Sequence, residues 1–510
     1  MTTRAVAALS AATNLCVLCG CTDELCLCES DHAVPASDAA AVTDSGLGAS
    51  DASFASDGTT DAFADLDQTA TVPPDAPAAA PEDVVAADLA TEDALALQGA
   101  PLIFAPTTHG FGLNAVVRTG DASRLRAYIR AAGAVAWTET ANPVFPAGDI
   151  AQWTFDGLNA GTLYEYKIAA TQNKEEIPLF SGKATTQREA GESFAFALLT
   201  DSHIAPRDVV PAGVETSNYM EETLLQVASD LRVGSPDFMI HLGDMLDFHQ
   251  FGFNDPPPDG FWTRLGYLNY RRLLGDTLGN TSHFLVIGNW DGENGCFTTE
   301  EIDRSRGQRL LYVPGPKPET YPEGGSGYED YYAFTWGDAL FVVLNVMTYT
   351  PAWHLLGGDP GLPDDWTLGE TQLAWLQQTL ENATSKWRFV FIHHPVGGAA
   401  GNDANSAYGR GGGQAAHVGE QETVHALMLE HGVQIFFYGH DHVFTDMLVD
   451  GIHYTLPGSA GAPWKFTEAE TGYTQYWSDS GHGRVEVSPD AVHVTFVALG
   501  GELIHLYTVE

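Results

Sequence analysis

Five short clusters in this sequence carry side chains of the kinds that hold metal ions. They read Thr200-Asp201-Ser202-His203, Gly243-Asp244, Gly288-Asn289, His393-His394-Pro395 and Gly439-His440-Asp441-His442. A mixed set of carboxylate, imidazole and amide donors suits Fe, Mn, Zn, Co or Ni and does not choose among them. Two such cations about 4 Å apart can clamp a phosphoryl group and bring a shared water to a pKa of about 7. One cluster alone carries little weight, because Asp-x-His and His-x-His often form ordinary polar turns. Position gives the five their weight. Each follows directly on an apolar run: "FAFALL", "FMIHL", "FLVI", "FVFI" and "IFFY".

Those runs need a scaffold that brings their ends together. From Ser193 onward, apolar runs alternate with helical periods. Met220, Leu224, Val227 and Leu231 share one face of a helix expected near 217–232. Further helices are expected near 262–274, after Thr367 with Glu370 as a capping box, and near 420–431, closed by Gly432. The chain ends in strands, "RVEVS" and "VHVTFVAL". Buried strands alternating with amphipathic helices make an α/β body. In open α/β sheets the carboxyl ends of strands face a common crevice, so the five clusters can converge there. Glycine before three of the clusters permits tight turns and close backbone approach.

The order Asp-x-His, Gly-Asp, Gly-Asn, His, Gly-His-x-His resembles the signature of the calcineurin-like metallophosphoesterase superfamily, over residues 193–510. The resemblance implies a four-layer α/β body, two mixed β-sheets flanked by helices, and a dinuclear metal centre. Asp201, His203 and His442 would hold one ion, and Asn289, His393 and His440 the other. Asp244 would bridge them. His393 is preferred to His394 because the family's ligand stands two positions before the proline. Asp247 is expected behind the ligands. The implied reaction is hydrolysis of phosphate mono- or diesters by a hydroxide shared between two transition-metal ions, divalent or trivalent. Such a centre stays cationic, and it can bind phosphate on an acidic protein because distant charges are screened beyond roughly 8 Å.

The sequence departs from the family at Trp290, where a histidine usually follows the asparagine and serves the leaving group. An indole N–H can donate to an oxyanion, but it does not titrate near neutral pH. General-acid help is worth about 10²–10⁴ in rate. By position along the chain, His394, His249 and Asp291 are candidates to supply the proton. The glycine-rich "YGRGGGQ", residues 408–414, offers Arg410 as a clamp on phosphate oxygens. The aromatic residues of "EGGSGYEDYYAFTWGD" are expected to pack. An alternative to the enzyme is a cell-surface binding protein that kept the fold and lost turnover.

Residues 101–188 read as short alternating strands bounded by turn residues, a small all-β sandwich. Within them "LNAGTLYEYKI" resembles the fibronectin type III signature, with Tyr164 tying a corner through its hydroxyl. A sandwich of this kind ahead of such a body resembles the purple acid phosphatases. Those enzymes place a tyrosine where Asp247 stands and lack a histidine at the position of His203, so a purple iron–tyrosinate colour is not expected. Residues 22–100 contain no Lys or Arg and few large apolar groups, and are expected to form a disordered acidic linker. Residues 1–21 fit a signal peptide. "LCGC" resembles a lipoprotein cleavage site, with Cys21 as the lipidated residue and its lipid as the only membrane attachment. Five of the six cysteines lie between Cys16 and Cys28, which excludes a disulfide framework. The net charge of −44 argues against duplex nucleic acid as a partner. The expected substrate is a small phosphate ester, met outside the cytoplasm.

Overall fold

The apolar runs that end in the five clusters are β-strands or lead directly out of them. A computed structural model describes residues 95–140, 142–172, 175–205, 221–248, 260–351, 367–394, 420–462, 465, 473 and 475–510. In the body, β1 (Phe194–Leu199), β2 (Phe238–His241) and β3 (Ser282–Leu285) run parallel. The next strands are β4 (Tyr332–Trp336), β5 (Ala339–Val343), β6 (Trp387–Phe391) and β7 (Ile435–Phe437). They are followed by β8 (Phe444–Val449), β9 (Ile452–Pro457) and β10 (Tyr476–Trp477). The chain ends in β11 (Gly481–Val487), β12 (Val492–Ala498) and β13 (Leu503–Val509). The first sheet has the order β3-β2-β1-β11-β12-β13, and the second β4-β5-β6-β7-β9-β8-β10. Both sheets are mixed: β5, β6, β7 and β9 are parallel, with antiparallel strands toward the edges.

Alternation along each strand builds two apolar faces. On β1, Phe196 and Leu198 point between the sheets, where they meet Phe238, Phe341, Phe389 and Phe437. Phe196 stacks on Phe238 at 5.2 Å, a favourable ring separation. Ala197 and Leu199 point outward, into a cluster with Leu224, Val227 and Leu231 of α1 (Glu221–Gly234) and with residues of α2 (Phe261–Leu274). The second sheet is covered by Leu376 and Leu380 of α4 (Gly369–Glu381) and by Val424 and Met428 of α5 (Glu420–Glu430). Helices, sheet, sheet and helices form the four expected layers, with both sets of parallel strands ending at one side.

Two sequence expectations are corrected. Thr367 and Glu370 form no capping box, because α4 has no side-chain cap. Glu420 takes their place, accepting from the Leu368 N–H at 2.6 Å and from the Thr367 hydroxyl at 2.8 Å. A capping box does open α3 (Thr299–Tyr312), between Thr298 and Glu301, on a helix that periodicity did not anticipate. The third C-terminal strand, β13, was also not anticipated.

Ahead of the body, residues 95–185 form two packed sheets with their own core of Leu113, Trp153, Phe155, Tyr166 and Ile168. The pair Ala96–Leu97 joins this unit ahead of residue 101. The Tyr164 hydroxyl accepts from the Asn159 N–H at 2.9 Å, tying the corner as expected. Arg271 of α2 is buried where sandwich and body meet. It donates to the Asn114 side chain and carbonyl at 2.5 and 2.9 Å, to Ala100 O at 3.2 Å and to Tyr312 O at 2.8 Å. A buried cation is tolerated when its donors are taken up in this way. The expected linker and signal segment, through residue 94, lie outside the described residues. Among those that are described, no helix is long and apolar enough to cross a membrane.

Candidate metal centre

The loops leaving β1, β2, β3, β6 and β7 meet at one end of the two sheets. All seven expected ligands are buried there. Asp201, His203, Asp244 and His442 form one group and Asp244, His393 and His440 a second, each with ligand atoms within 4.8 Å of one another. In the first, His203 Nε2 lies 3.2 Å from His442 Nε2 and 3.6 Å from Asp244 Oδ2, and His442 Nε2 lies 3.5 Å from Asp201 Oδ1. In the second, His393 Nε2 lies 3.1 Å from the same Asp244 Oδ2. Asn289 Oδ1 lies 3.0 Å from both His393 Nε2 and His440 Nδ1. One carboxylate oxygen is therefore common to two donor groups.

The backbone is bent hard to achieve this. Asp201, His203, Asp244, His440 and His442 have φ of 53°, 46°, 53°, 81° and 60°. Left-handed conformations cost non-glycine residues on the order of 1–3 kcal/mol each and persist only where the surroundings impose them. The imposing contacts are visible. Parallel pairing runs on past β1 and β2, with Asp201 N–H donating to Gly243 O at 3.0 Å and His203 N–H to Asp244 O at 2.9 Å. Gly243, at φ 100°, sits so near His393 that a Cβ would come within 2.6 Å of Nδ1. A Cβ on Gly288 would overlap the Asp244 amide and carboxylate. One on Gly439 would overlap the Thr200 hydroxyl.

Further groups aim the donors. His393 Nδ1 donates to Leu242 O at 2.8 Å, which leaves Nε2 to accept an ion. Asp201 accepts from the Thr200 hydroxyl at 2.8 Å and from the His440 N–H. Asp441, between two histidines, accepts from the Tyr473 hydroxyl at 2.6 Å, which in turn accepts from Tyr438. The Ser202 hydroxyl joins the Met245 carbonyl and the His241 ring, fixing the Gly-Asp turn. Burial holds the His241 pKa well below its ordinary value, so this ring is neutral. The sequence carried no signal for His241 or Tyr438, which lie in apolar runs, or for Tyr473, which stands in the polar stretch "ETGYTQ"; each acts only through its neighbours.

The charge balance fits cations. Burial, opposed by His393 and reinforced by the Asp244 charge, raises the Asp201 pKa above the usual carboxylate range. Burial alone would lower the pKa of His393, but Asp244 and Asp201 outweigh it and raise it to about 9. Two buried carboxylates facing four imidazoles are thus balanced either by protons or by metal ions, and the donor types suit transition metals.

Residues 194–444 match the family model for calcineurin-like phosphoesterases, a span from the start of β1 to just past His442. The chain carries a calcineurin-like phosphoesterase domain. Its fold is similar to that of a purple acid phosphatase from yellow lupin (Lupinus luteus) seeds, with a TM-score of 0.59 at 11% identity. That alignment covers 81% of this chain and 74% of the lupin enzyme. A cell-surface chitinase, ChiW, from Paenibacillus sp. str. FPU-7 aligns over 76% of this chain and 34% of its own at 11% identity. Its TM-score is 0.20. No curated protein sequence matches the chain.

Around these seven residues, the remaining candidates take distinct places. The Trp290 N–H donates to Asp244 Oδ1 at 2.7 Å, and its half-buried ring meets His203 edge-on at 5.2 Å. The backbone of residue 290 therefore orients the shared carboxylate whatever its side chain. His394 is buried against His440, ring centres 4.0 Å apart. Asp247 is buried behind the ligand turn, and its N–H donates to Ile204 O. Asp291 is corrected as a proton donor. Its oxygens accept from the N–H groups of Asp244, Met245, Leu246 and Gly288 at 2.8–3.1 Å. Four donors occupy a carboxylate fully, so Asp291 ties the second and third ligand turns together. Arg410 and His249 lie outside the described residues. Cys296 is half-buried, and burial pushes its thiol up to about 12.

Proposed function

We propose that this chain is an exported phosphoesterase working through a dinuclear metal centre. The observation that carries the reading is Asp244 Oδ2, common to two groups of buried donors. Asp201, His203 and His442 would hold one ion, Asn289, His393 and His440 the other, and Asp244 both. When bound, such ions polarise a phosphoryl group and acidify water. The chain's own contribution is orientation: Trp290 N–H fixes the second oxygen of Asp244, and Leu242 O fixes the His393 ring. The substrate is a small phosphate mono- or diester. The sandwich is read as fibronectin type III-like, on the Tyr164 corner. Export rests on the apolar N-terminal run and "LCGC", with a lipid on Cys21 as the tether.

The test is an activity panel on metal-reconstituted protein: an aryl phosphate monoester, an aryl diester and a nucleotide, with Asp244→Asn as the blank. Turnover of at least one ester class is expected, falling by at least about 10²-fold in the blank. Equal rates in both proteins, or no turnover of any ester with both metal sites filled, would overturn the reading and favour a binding protein.

A further inference from the structure

The starts of β2 and β3 lie at the end of the first sheet away from the metal centre. There a cavity of about 590 Å³ opens between body and sandwich, a volume usual for small-molecule sites. Lys183 of the sandwich and Arg188 of the connecting segment line it, with Arg232 of α1. Ser235, Asp237 and Thr281, which lead into the two strands, complete its polar lining. Asp237 and Asp244 stand at opposite ends of β2, so the cavity lies roughly 20 Å from the ligands. That exceeds the roughly 8 Å over which charges act in physiological salt.

The chain has 23 Lys and Arg against 67 Asp and Glu, yet this cavity gathers three cations and one carboxylate. The carboxylates in and around it are engaged elsewhere. Asp237 accepts from Arg188 Nε and Nη2 at 2.8 Å each. Glu165, paired with Lys183 across the strands, accepts from Arg130 at 2.6 Å. Glu192, beside Gly161, accepts from the Glu189 N–H at 2.8 Å. Lys183 and Arg232, exposed at the rim, have no ion-pair partner among the described residues. Thr281 is 6% exposed, and among the described residues its hydroxyl has no hydrogen-bond partner. A buried hydroxyl is normally bonded. The cavity therefore presents two uncommitted cations and a buried hydroxyl. A phosphate group matches them, with nearly two negative charges and three acceptor oxygens.

We propose that this cavity is a second phosphate-binding site, in which Lys183 and Arg232 balance the charge and the Thr281 hydroxyl donates to one oxygen. It is separate from the metal centre and does not depend on turnover there. The phosphate group is either free or carried on a small polar molecule.

The experiment is calorimetry on zinc-loaded, desalted full-length protein, titrated with inorganic phosphate. Wild type, Lys183→Met, Lys183→Arg and the double variant Lys183→Met/Arg232→Met are compared. The wild type should bind two phosphates per chain, one at the metal centre and one here. Lys183→Met should weaken one of the two about 10- to 100-fold, the range of one charge-assisted hydrogen bond, and leave the other unchanged. Lys183→Arg should keep most of that affinity, and the double variant should bind one phosphate only. A parallel titration uses 3,4-dihydroxybutylphosphonate, which has no ester bond to cleave. Tighter binding than phosphate at the site lost in the double variant identifies a phosphorylated polyol as the ligand, and weaker binding identifies free phosphate. On the wild type alone, acylation of Lys183 is followed by peptide mass spectrometry, and saturating phosphate should protect it. A single phosphate that the double variant keeps, or equal labelling of Lys183 with and without phosphate, overturns the inference and leaves the phosphoesterase reading standing. A single phosphate that the double variant loses sustains the inference and counts against that reading.

Discussion

Trp290 alters what the centre can do without altering how Asp244 is held. The hydrogen bond to Asp244 Oδ1 comes from the backbone, so replacing the indole leaves the bridging carboxylate in place. The ring itself lies against His203. An indole gives no titratable proton to a departing alkoxide, so the wild type should be sensitive to how good the leaving group is. For a series of aryl phosphates, log kcat/KM should fall steeply with leaving-group pKa. Trp290→His should flatten that line, with gains of about 10²-fold or more for the poorest leaving groups. Parallel lines for the two proteins would remove the proposed consequence of this residue. Of the expected proton donors, His394 lies beside the centre, its ring 4.0 Å from that of His440, whereas Asp291 is committed to four backbone donors.

At the scale of elements, the unit that matters is the turn after each strand. Five ligands in left-handed backbone are held by neighbouring turns that approach to within contact of one another. Gly243 shows how little room there is. Gly243→Ala would place a Cβ 2.6 Å from His393 Nδ1 on a backbone at φ 100°. Overpacking and backbone strain together should cost about 2–5 kcal/mol of stability, read as a lower midpoint in denaturant unfolding. A midpoint equal to the wild type would show that the turns are looser than described. This also marks what was legible in the sequence. The clustering of these Asp, Asn and His residues could be read because their chemical types interrupt apolar runs at strand ends. Their left-handed conformation could not, because nothing in Asp or His demands it; the neighbouring turn does. Helix α3 escaped notice for a related reason. Its buried face holds Ser305, Arg306, Arg309 and Tyr312. Arg309 pairs with buried Glu293 at 2.6 Å. A polar buried face leaves no apolar period to read. The Thr367–Glu370 pattern misled because partners distant in sequence take its groups: the Thr367 N–H goes to the Thr350 hydroxyl, and Glu420 accepts from the Thr367 hydroxyl and the Leu368 N–H.

At the scale of the molecule, the centre belongs to neither sheet. Asp201, His203, Asp244 and Asn289 come from the first and His393, His440 and His442 from the second, so the aromatic layer between the sheets sets the distances across the site. The sandwich adds to this frame from behind. Arg271 joins it to α2 and α3, Tyr321 donates to Pro106 O at 2.7 Å, and Tyr166 to Gly279 O at 2.8 Å. Ligands drawn from elements so far apart in sequence are assembled only by folding, so ion binding and stability are coupled. The central claim is that one oxygen of Asp244 serves two ions, and metal stoichiometry tests it most directly. Elemental analysis after saturation and desalting should give two ions per chain in the wild type. It should give about one in His442→Ala, and a loss at both positions in Asp244→Asn. A wild type holding no transition metal, or an Asp244→Asn variant that keeps the full complement, would contradict the account.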